Sequence, residues 1–218
     1  MKPVALVPVN RLAAVKTRLA GALPPDERRR LVLWMARRTV GTLLASDAVA
    51  GVLVVSPDRE ALAATARPGV TGVLQREGGL NEGLELGRQR ALVPGADALL
   101  VVLADLPYLT PEEVAALVAL GDGPPGEARV VLAPDTRGRG TNALLVRPAS
   151  LVPFTFGAHS LARHRALARY TGVEPAYYRS PGTARDVDTP GDLRQLVASG
   201  LWAPESHAPW ARGTGVAV

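Results

Sequence analysis

The chain has 218 residues, a formal net charge of +5 and a hydrophobic content of 47%, enough for one sizeable core and short for two. It contains no cysteine, which excludes disulfides, thiolate catalysis and zinc–thiolate sites. No apolar run approaches the ~18 residues of a membrane span, and the Met1-Lys2-Pro3 start carries no secretory pattern, so the expectation is a cytoplasmic protein without a membrane partner. A basic balance favours acidic partners. Aromatic residues make up only 4% and the arginines are spread along the chain, which speaks against a single-strand nucleic-acid surface. Nucleotides and phosphorylated metabolites remain.

In chain order, Val4 to Val9 reads as the first strand. Pro24-Pro25-Asp26-Glu27 opens a helix to about Ala45, because proline and acidic residues suit a first turn. Gly51 to Ser56 is a second strand, followed by a short helix from about Asp58, and Thr71 to Gln75 is a third strand. A helix from Leu80 to about Leu92 comes next. Ala98 to Leu103 is an unbroken apolar run that ends in Ala104-Asp105-Leu106-Pro107. Such a run fits a strand buried on both faces of a parallel sheet, and the proline stops its ladder. Thr110-Pro111-Glu112-Glu113 starts a helix with a capping box. Arg129 to Ala133 is a fifth strand, and Asn142 to Val146 a sixth, expected antiparallel because only a loop separates the two. A helix over Ser160 to Tyr170, a short strand over Ala176 to Arg179 and a helix over Pro190 to Ser199 complete the pattern. The alternation predicts a three-layer α/β domain over residues 1–200 with a mostly parallel, mixed sheet. Residues 201–218 read as a tail, whose Trp202 and Trp210 suit packing across a homodimer.

The chemistry-bearing residues fall in the loops. Asp105 sits at the carboxyl end of a central strand, where open α/β sheets bind ligands. A fixed carboxylate there suits a divalent metal on a nucleotide phosphate; a plain turn residue accounts for the same position equally well. The loop Pro8-Val9-Asn10-Arg11…Lys16-Thr17-Arg18 brings positive charge to the end of the first strand. It lacks the glycine nest of a P-loop but suits triphosphate charge. Apart from Lys2, Lys16 is the one lysine among 25 basic residues that are otherwise arginine, which marks it for its compact charge. Gly78-Gly79-Leu80-Asn81 opens a helix and lets backbone amides approach a flat ligand. Pro134 to Leu144 joins two strands with Arg, Gly, Thr and Asn donors suited to an anion. In Phe156-Gly157-Ala158-His159-Ser160, Ser160 reads as an N-cap. Neither His159 nor His164 is given a catalytic role. Asp186 and Asp188, spaced i, i+2, point the same way in an extended segment, so either can join Asp105 around a metal; a helix-entry turn uses the same residues.

Six segments in this order, KTRLA, GLNEGLELG, VLADLPYLTPEEV, APDTRGRGTNALL, FGAHSLARH and DVDTPGDL, resemble the guanylyltransferases of deazaflavin coenzyme (coenzyme F-420) biosynthesis. These lie in the wider nucleotidyltransferase superfamily that includes the molybdenum-cofactor enzymes. The resemblance spans roughly residues 4 to 197. It implies a Rossmann-like, GT-A-like nucleotidyltransferase domain that joins GTP to phosphoenolpyruvate, 2-phospholactate or 3-phosphoglycerate and releases pyrophosphate. It implies Mg2+, as two ions, on Asp105 and Asp188, with Asp186 as the alternative ligand. Lys16, Arg18 and Asp105 take the catalytic roles. Pro8, Gly79, Leu80 and Asn81 join them around GTP. Thr141, Asn142, Gly157 and Ser160 match the acceptor pocket. Asn10 departs from the family pattern, which has a lysine there, and Arg11 is its candidate substitute. Arginine-rich composition suggests a high-GC bacterium and favours phosphoenolpyruvate. The competing readings are a related enzyme acting on a molybdopterin or sugar phosphate, disfavoured by the missing glycine-rich LAGG-type loop, and a non-catalytic nucleotide-binding domain.

Overall fold

The computed structural model describes residues 1–14, 16–93, 95–124 and 126–205. Seven strands form one sheet in the order β3-β2-β1-β4-β6-β5-β7. They are β1 (Val4–Pro8), β2 (Gly51–Ser56), β3 (Val70–Leu74), β4 (Leu99–Val102), β5 (Arg129–Pro134), β6 (Thr141–Arg147) and β7 (Ala176–Tyr177). Every neighbouring pair is parallel except the two that involve β6. The hairpin explains that reversal: β5 and β6 are joined by a loop too short for a crossover.

The helices are α1 (Pro25–Ala45), α2 (Arg59–Thr65), α3 (Leu80–Leu92), α4 (Pro111–Leu120), α5 (Ser160–Tyr170), α6 (Pro181–Ala184) and α7 (Pro190–Ala198). Side chains of a strand alternate between faces, so a central strand needs apolar residues throughout. In β4, Leu100 and Val102 enter one core with Leu31 and Met35 of α1, Leu117 of α4 and Leu193 of α7. Leu99 and Val101 enter the other, with Leu84 of α3, Ala168 of α5 and Phe154. Each fully buried leucine in these layers stabilises the fold by about 1.5–3 kcal/mol. Trp202 is 7% exposed and packs into the first of these cores. It is therefore held in the core of its own chain. Trp210 lies outside the described residues.

The topology places a crevice. The chain runs outward from β1 to β2 and β3, then returns to lay β4 on the other side of β1. Loops leaving β1 and β4 therefore diverge at their carboxyl ends, the switch point where ligands bind in open sheets. Pro107 follows the end of β4, and Thr110 caps α4 by accepting from the Glu113 amide while Glu113 accepts from the Thr110 amide. The capping box read from sequence is thus formed, as is the Thr189 cap of α7. Ser160 differs from expectation: His159 occupies the N-cap position, in left-handed backbone at φ 55°. Ser160 instead accepts a hydrogen bond from the Thr141 amide at 2.9 Å.

That bond belongs to a buried knot between β6 and α5. The His164 Nε2 accepts from the Thr155 amide at 3.1 Å, which leaves Nδ1 to carry the proton toward Thr141 Oγ1, 3.0 Å away. The ring is wholly buried and lies edge-on to Phe156. Burial, followed by the nearby Arg163 charge, lowers its pKa to about 4. The unfolded chain protonates this histidine near 6.5, so between those values the unfolded state holds the extra proton. The stability contributed by neutral His164 is complete above about pH 6.5 and is lost as pH falls toward 4, by up to about 3 kcal/mol. Urea unfolding of wild type is expected to show this loss across that window. His164→Gln is expected to start less stable at pH 7.5 and to fall less steeply; parallel profiles for the two proteins would contradict the assignment.

Candidate active site

The crevice at the ends of β1 and β4 is a cavity of ≈ 540 Å³. Its walls come from the loop after β1 (Pro8, Asn10, Arg11, Lys16), from Gly78, Gly79 and Leu80 at the start of α3, and from Asp105 and Asp188. The residues read as nucleotide-binding thus meet there, except Arg18 and Asn81. Asn10 and Arg11 both line the cavity, so a cation is retained on that wall although Asn10 carries none.

Three carboxylates cluster here, and two of them, Asp105 and Asp188, line this cavity. Asp105, Asp186 and Asp188 each bring an oxygen within 4.8 Å of the others. Both members of the i, i+2 pair therefore reach Asp105. Lys16 answers this negative charge: its Nζ donates to Asp105 Oδ2 at 2.7 Å and to Asp188 Oδ1 at 2.6 Å. Its side chain is 10% exposed. Burial alone lowers the ammonium pKa, but the Asp105 and Asp188 carboxylates outweigh burial and hold it above the ordinary lysine range. The Lys16 backbone is left-handed, at φ 50°, a conformation uncommon for a residue with a Cβ. Burial, and then the charge of Asp105, pushes the Asp186 carboxyl up to about 6. Arg18 stands further out, 4.0 Å from Asp188 Oδ2.

The donor set fits a divalent cation. Carboxylate oxygens are the hard ligands that Mg2+ prefers. Asp105 Oδ1 is buried with no hydrogen-bond partner among the described residues, which is costly unless a cation meets it.

The segment that carries the two later aspartates is fixed from several sides. The Val187 amide donates to the Asp105 carbonyl at 3.3 Å. Asp192 Oδ2 accepts from the amides of Asp188 and Thr189 and from Thr189 Oγ1. Upstream, the Gly182 amide donates to Glu113 Oε1 at 3.0 Å. A Cβ at Gly182 would lie 2.8 Å from the Leu109 backbone, so glycine is needed for α6 to approach α4. Asn142 Nδ2 donates to the carbonyls of Thr183 and Ala184. Asn142, read from sequence as an acceptor ligand, is thus placed to hold the aspartate segment.

On the opposite wall, Gln75 is a residue the sequence reading passed over. It is buried, and its Nε2 donates to the carbonyls of Glu77 and Gly79. Glu82 Oε2 accepts from the Gly79 amide at 3.0 Å, and Gly78 sits at φ +88°. Together they hold the glycine turn that forms the cavity wall. Asn81 turns away from the cavity: its amide group accepts from the Phe156 amide and donates to the Phe156 carbonyl. It thereby ties the start of α3 to the turn preceding α5. Another unforeseen tie is Asp58, whose Oδ2 accepts from the Leu12 amide and anchors the loop that carries Lys16.

A second cavity, of ≈ 420 Å³, lies beyond Asp188 and shares that residue with the first. Arg18, Arg137, Arg185 and Tyr108 contribute to its lining together with Asp186. Thr141 and Ser160 are buried behind the loop that leads to it and bond to each other, while Gly157 is exposed in left-handed backbone at φ +108°. Thr141, Gly157 and Ser160 therefore lie close together on the β6–α5 side. Among the described residues, no helix is long and apolar enough to cross a membrane.

A protein of Sphaerobacter thermophilus named phosphoenolpyruvate guanylyltransferase is 48% identical over 209 residues, covering 96% of this chain and 95% of its own. One of the same name from Rubrobacter xylanophilus is 44% identical, covering 92% and 96%. Among solved structures, a nucleotidyl transferase from Methanothermobacter thermautotroptrophicus superposes with a TM-score of 0.65 at 18% identity, covering 91% of this chain and 97% of that one; it bears on the fold alone. The family described as "Guanylyl transferase CofC like" matches residues 3–204. The chain belongs to that guanylyl transferase family and is a nucleotidyltransferase.

Proposed function

We propose that the enzyme transfers the guanylyl group of GTP to phosphoenolpyruvate in the cytoplasm, with Mg2+, as a step toward the deazaflavin coenzyme F-420. The observation that carries this reading is the meeting of two cavities at Asp188, beside a buried lysine and three clustered carboxylates. The relatives' shared name favours phosphoenolpyruvate over 2-phospholactate and 3-phosphoglycerate.

GTP lies in the larger cavity, with guanine against the Gly79–Leu80 turn and the phosphates toward Lys16, Arg11 and Arg18. The acid approaches from the side of the 135–140 loop and the Gly157–Ser160 turn, where Arg137 and Arg185 supply positive charge. Thr141, Gly157 and Ser160 shape its pocket. The acceptor phosphate attacks the α-phosphorus in line, the bond to the β-phosphate oxygen breaks, and pyrophosphate leaves. A phosphate nucleophile is already ionised near neutral pH, so no side chain has to remove a proton. The protein's work is to bring two anions together and to stabilise the charge that develops. Asp105 and Asp188, with Asp186 beside them, would hold Mg2+, which would supply charge neutralisation on the phosphates.

Pyrophosphate release with GTP and Mg2+ is expected with phosphoenolpyruvate and not with the other two acids. Release with 2-phospholactate or 3-phosphoglycerate instead would reassign the acceptor, and no release with any acid from folded protein would remove the reading. Asp105→Asn is expected to lower kcat by about 100-fold or more, the scale of losing a preorganised electrostatic group, with thermal unfolding close to wild type; near-normal turnover would contradict its role. Gln75→Leu is expected to raise the KM for GTP by about tenfold, since two hydrogen bonds to the turn are lost, while kcat changes little. An unchanged KM would show that the turn holds its shape without Gln75.

A further inference from the structure

We infer that Asn81 is a positioning residue for the acceptor, acting from the nucleotide side of the crevice: it fixes the Phe156–Gly157 backbone and, through it, the turn that receives the phosphorylated acid. This rests on the acceptor pocket proposed above and names the residue that holds it in shape.

Asn81 follows Gly79 and Leu80, which line the larger cavity, but its own side chain reaches across to Phe156. Its Nδ2 donates to the Phe156 carbonyl at 3.2 Å, and its Oδ1 accepts from the Phe156 amide at 2.8 Å. Both polar atoms of the side chain are thereby spent, so none is left to read a base. The two groups it serves differ in what else they have. The Phe156 carbonyl also accepts from Arg163 Nη2 at 3.3 Å. For the Phe156 amide, Asn81 is the one partner among the described residues. Phe156 is 4% exposed, so loss of Asn81 Oδ1 leaves a buried N–H unpartnered, and the backbone must shift to satisfy it. That backbone leads into a turn with two left-handed residues, Gly157 at φ +108° and His159 at φ 55°. Such a conformation at a residue with a Cβ persists only where its surroundings enforce it. The far end of the turn is held separately: the Leu161 amide donates to the Arg139 carbonyl at 3.1 Å, and the Thr141 amide to Ser160 Oγ at 2.9 Å. Arg139 lies in the β5–β6 connection, whose Asp135, Thr136 and Arg137 line the second cavity. Asn81 thus stands between a wall of one cavity and the turn beside the other. A displaced turn weakens the acid's binding in ground and transition states alike, which raises its KM and spares kcat.

The test is steady-state pyrophosphate release by wild type and Asn81→Ala, each substrate varied with the other saturating. Asn81→Ala is expected to raise the KM for phosphoenolpyruvate about tenfold, the scale of two lost hydrogen bonds to backbone, while kcat and the KM for GTP stay within about twofold of wild type. A merely structural role would lower thermal stability and the active fraction, and so kcat, without moving either KM; that result would overturn the inference. So would a rise in the KM for GTP alone, which would make Asn81 a nucleotide residue, or an equal rise in both. No release by wild type with any acid would remove the proposed function and this inference with it. A second measurement uses wild type alone, in case Asn81→Ala does not fold. The phenylalanines are Phe154 and Phe156, and the asparagines are Asn10, Asn81 and Asn142, so labelling both types with heavy nitrogen gives few signals. Phosphoenolpyruvate is added to protein holding Mg2+ and a GTP analogue that cannot transfer its guanylyl group. The Phe156 amide and the Asn81 side-chain amide are expected to shift together. Signals that stay in place at acid concentrations that support turnover would overturn the inference.

Discussion

Three carboxylates within 4.8 Å of one another repel, and an ammonium between two of them is what lets this site exist in a folded protein. Lys16 comes from the loop after β1, Asp105 from the end of β4, and Asp188 from the segment before α7. Their contact therefore ties together three stretches that are 89 and 172 positions apart. Long closures of that kind oppose folding entropically. They are supported by purely structural elements: two apolar cores that sandwich the sheet, the capping boxes of α4 and α7, and the approach of Gly182 to Glu113.

The division of labour follows from topology. The sheet fixes where strands end, and the loops at those ends carry the charge. Because β1 and β4 are neighbours whose connections depart in opposite directions, the crevice between them opens without distorting either strand. Reversal at β6 brings the 135–140 loop to the same edge, so Arg137 joins Arg18 and Arg185 in lining the second cavity beside Asp186 and Asp188. A reaction between two anions needs such positive walls on both sides of the reacting phosphorus.

Much of this was legible in the chain. The run from Ala98 to Leu103 has no polar gap because β4 feeds two cores, and Pro107 follows it, so the position of Asp105 at a strand end could be read directly. The antiparallel β6 followed from the short connection before it, and Thr110 and Thr189 announced their helices. What could not be read depends on partners far away in sequence. Asn81 looks like a ligand for a base but spends its amide group on Phe156, 75 positions on. Ser160 looks like an N-cap but serves Thr141. Gln75 and Asp58 carry no local pattern at all, and their importance lies in which backbone groups they meet. The four-residue α6 is too short to show helical periodicity. Trp202 sits in a segment without periodicity, and only the packed structure shows the gap in the core that it fills.

The most direct test of the central claim is an anomalous-scattering map from crystals grown with Mn2+ and a GTP analogue that cannot transfer its guanylyl group. The account requires an anomalous peak in contact with Asp105 and Asp188 and the analogue's phosphates beside it. A peak away from these aspartates, or a nucleotide bound elsewhere, would contradict it.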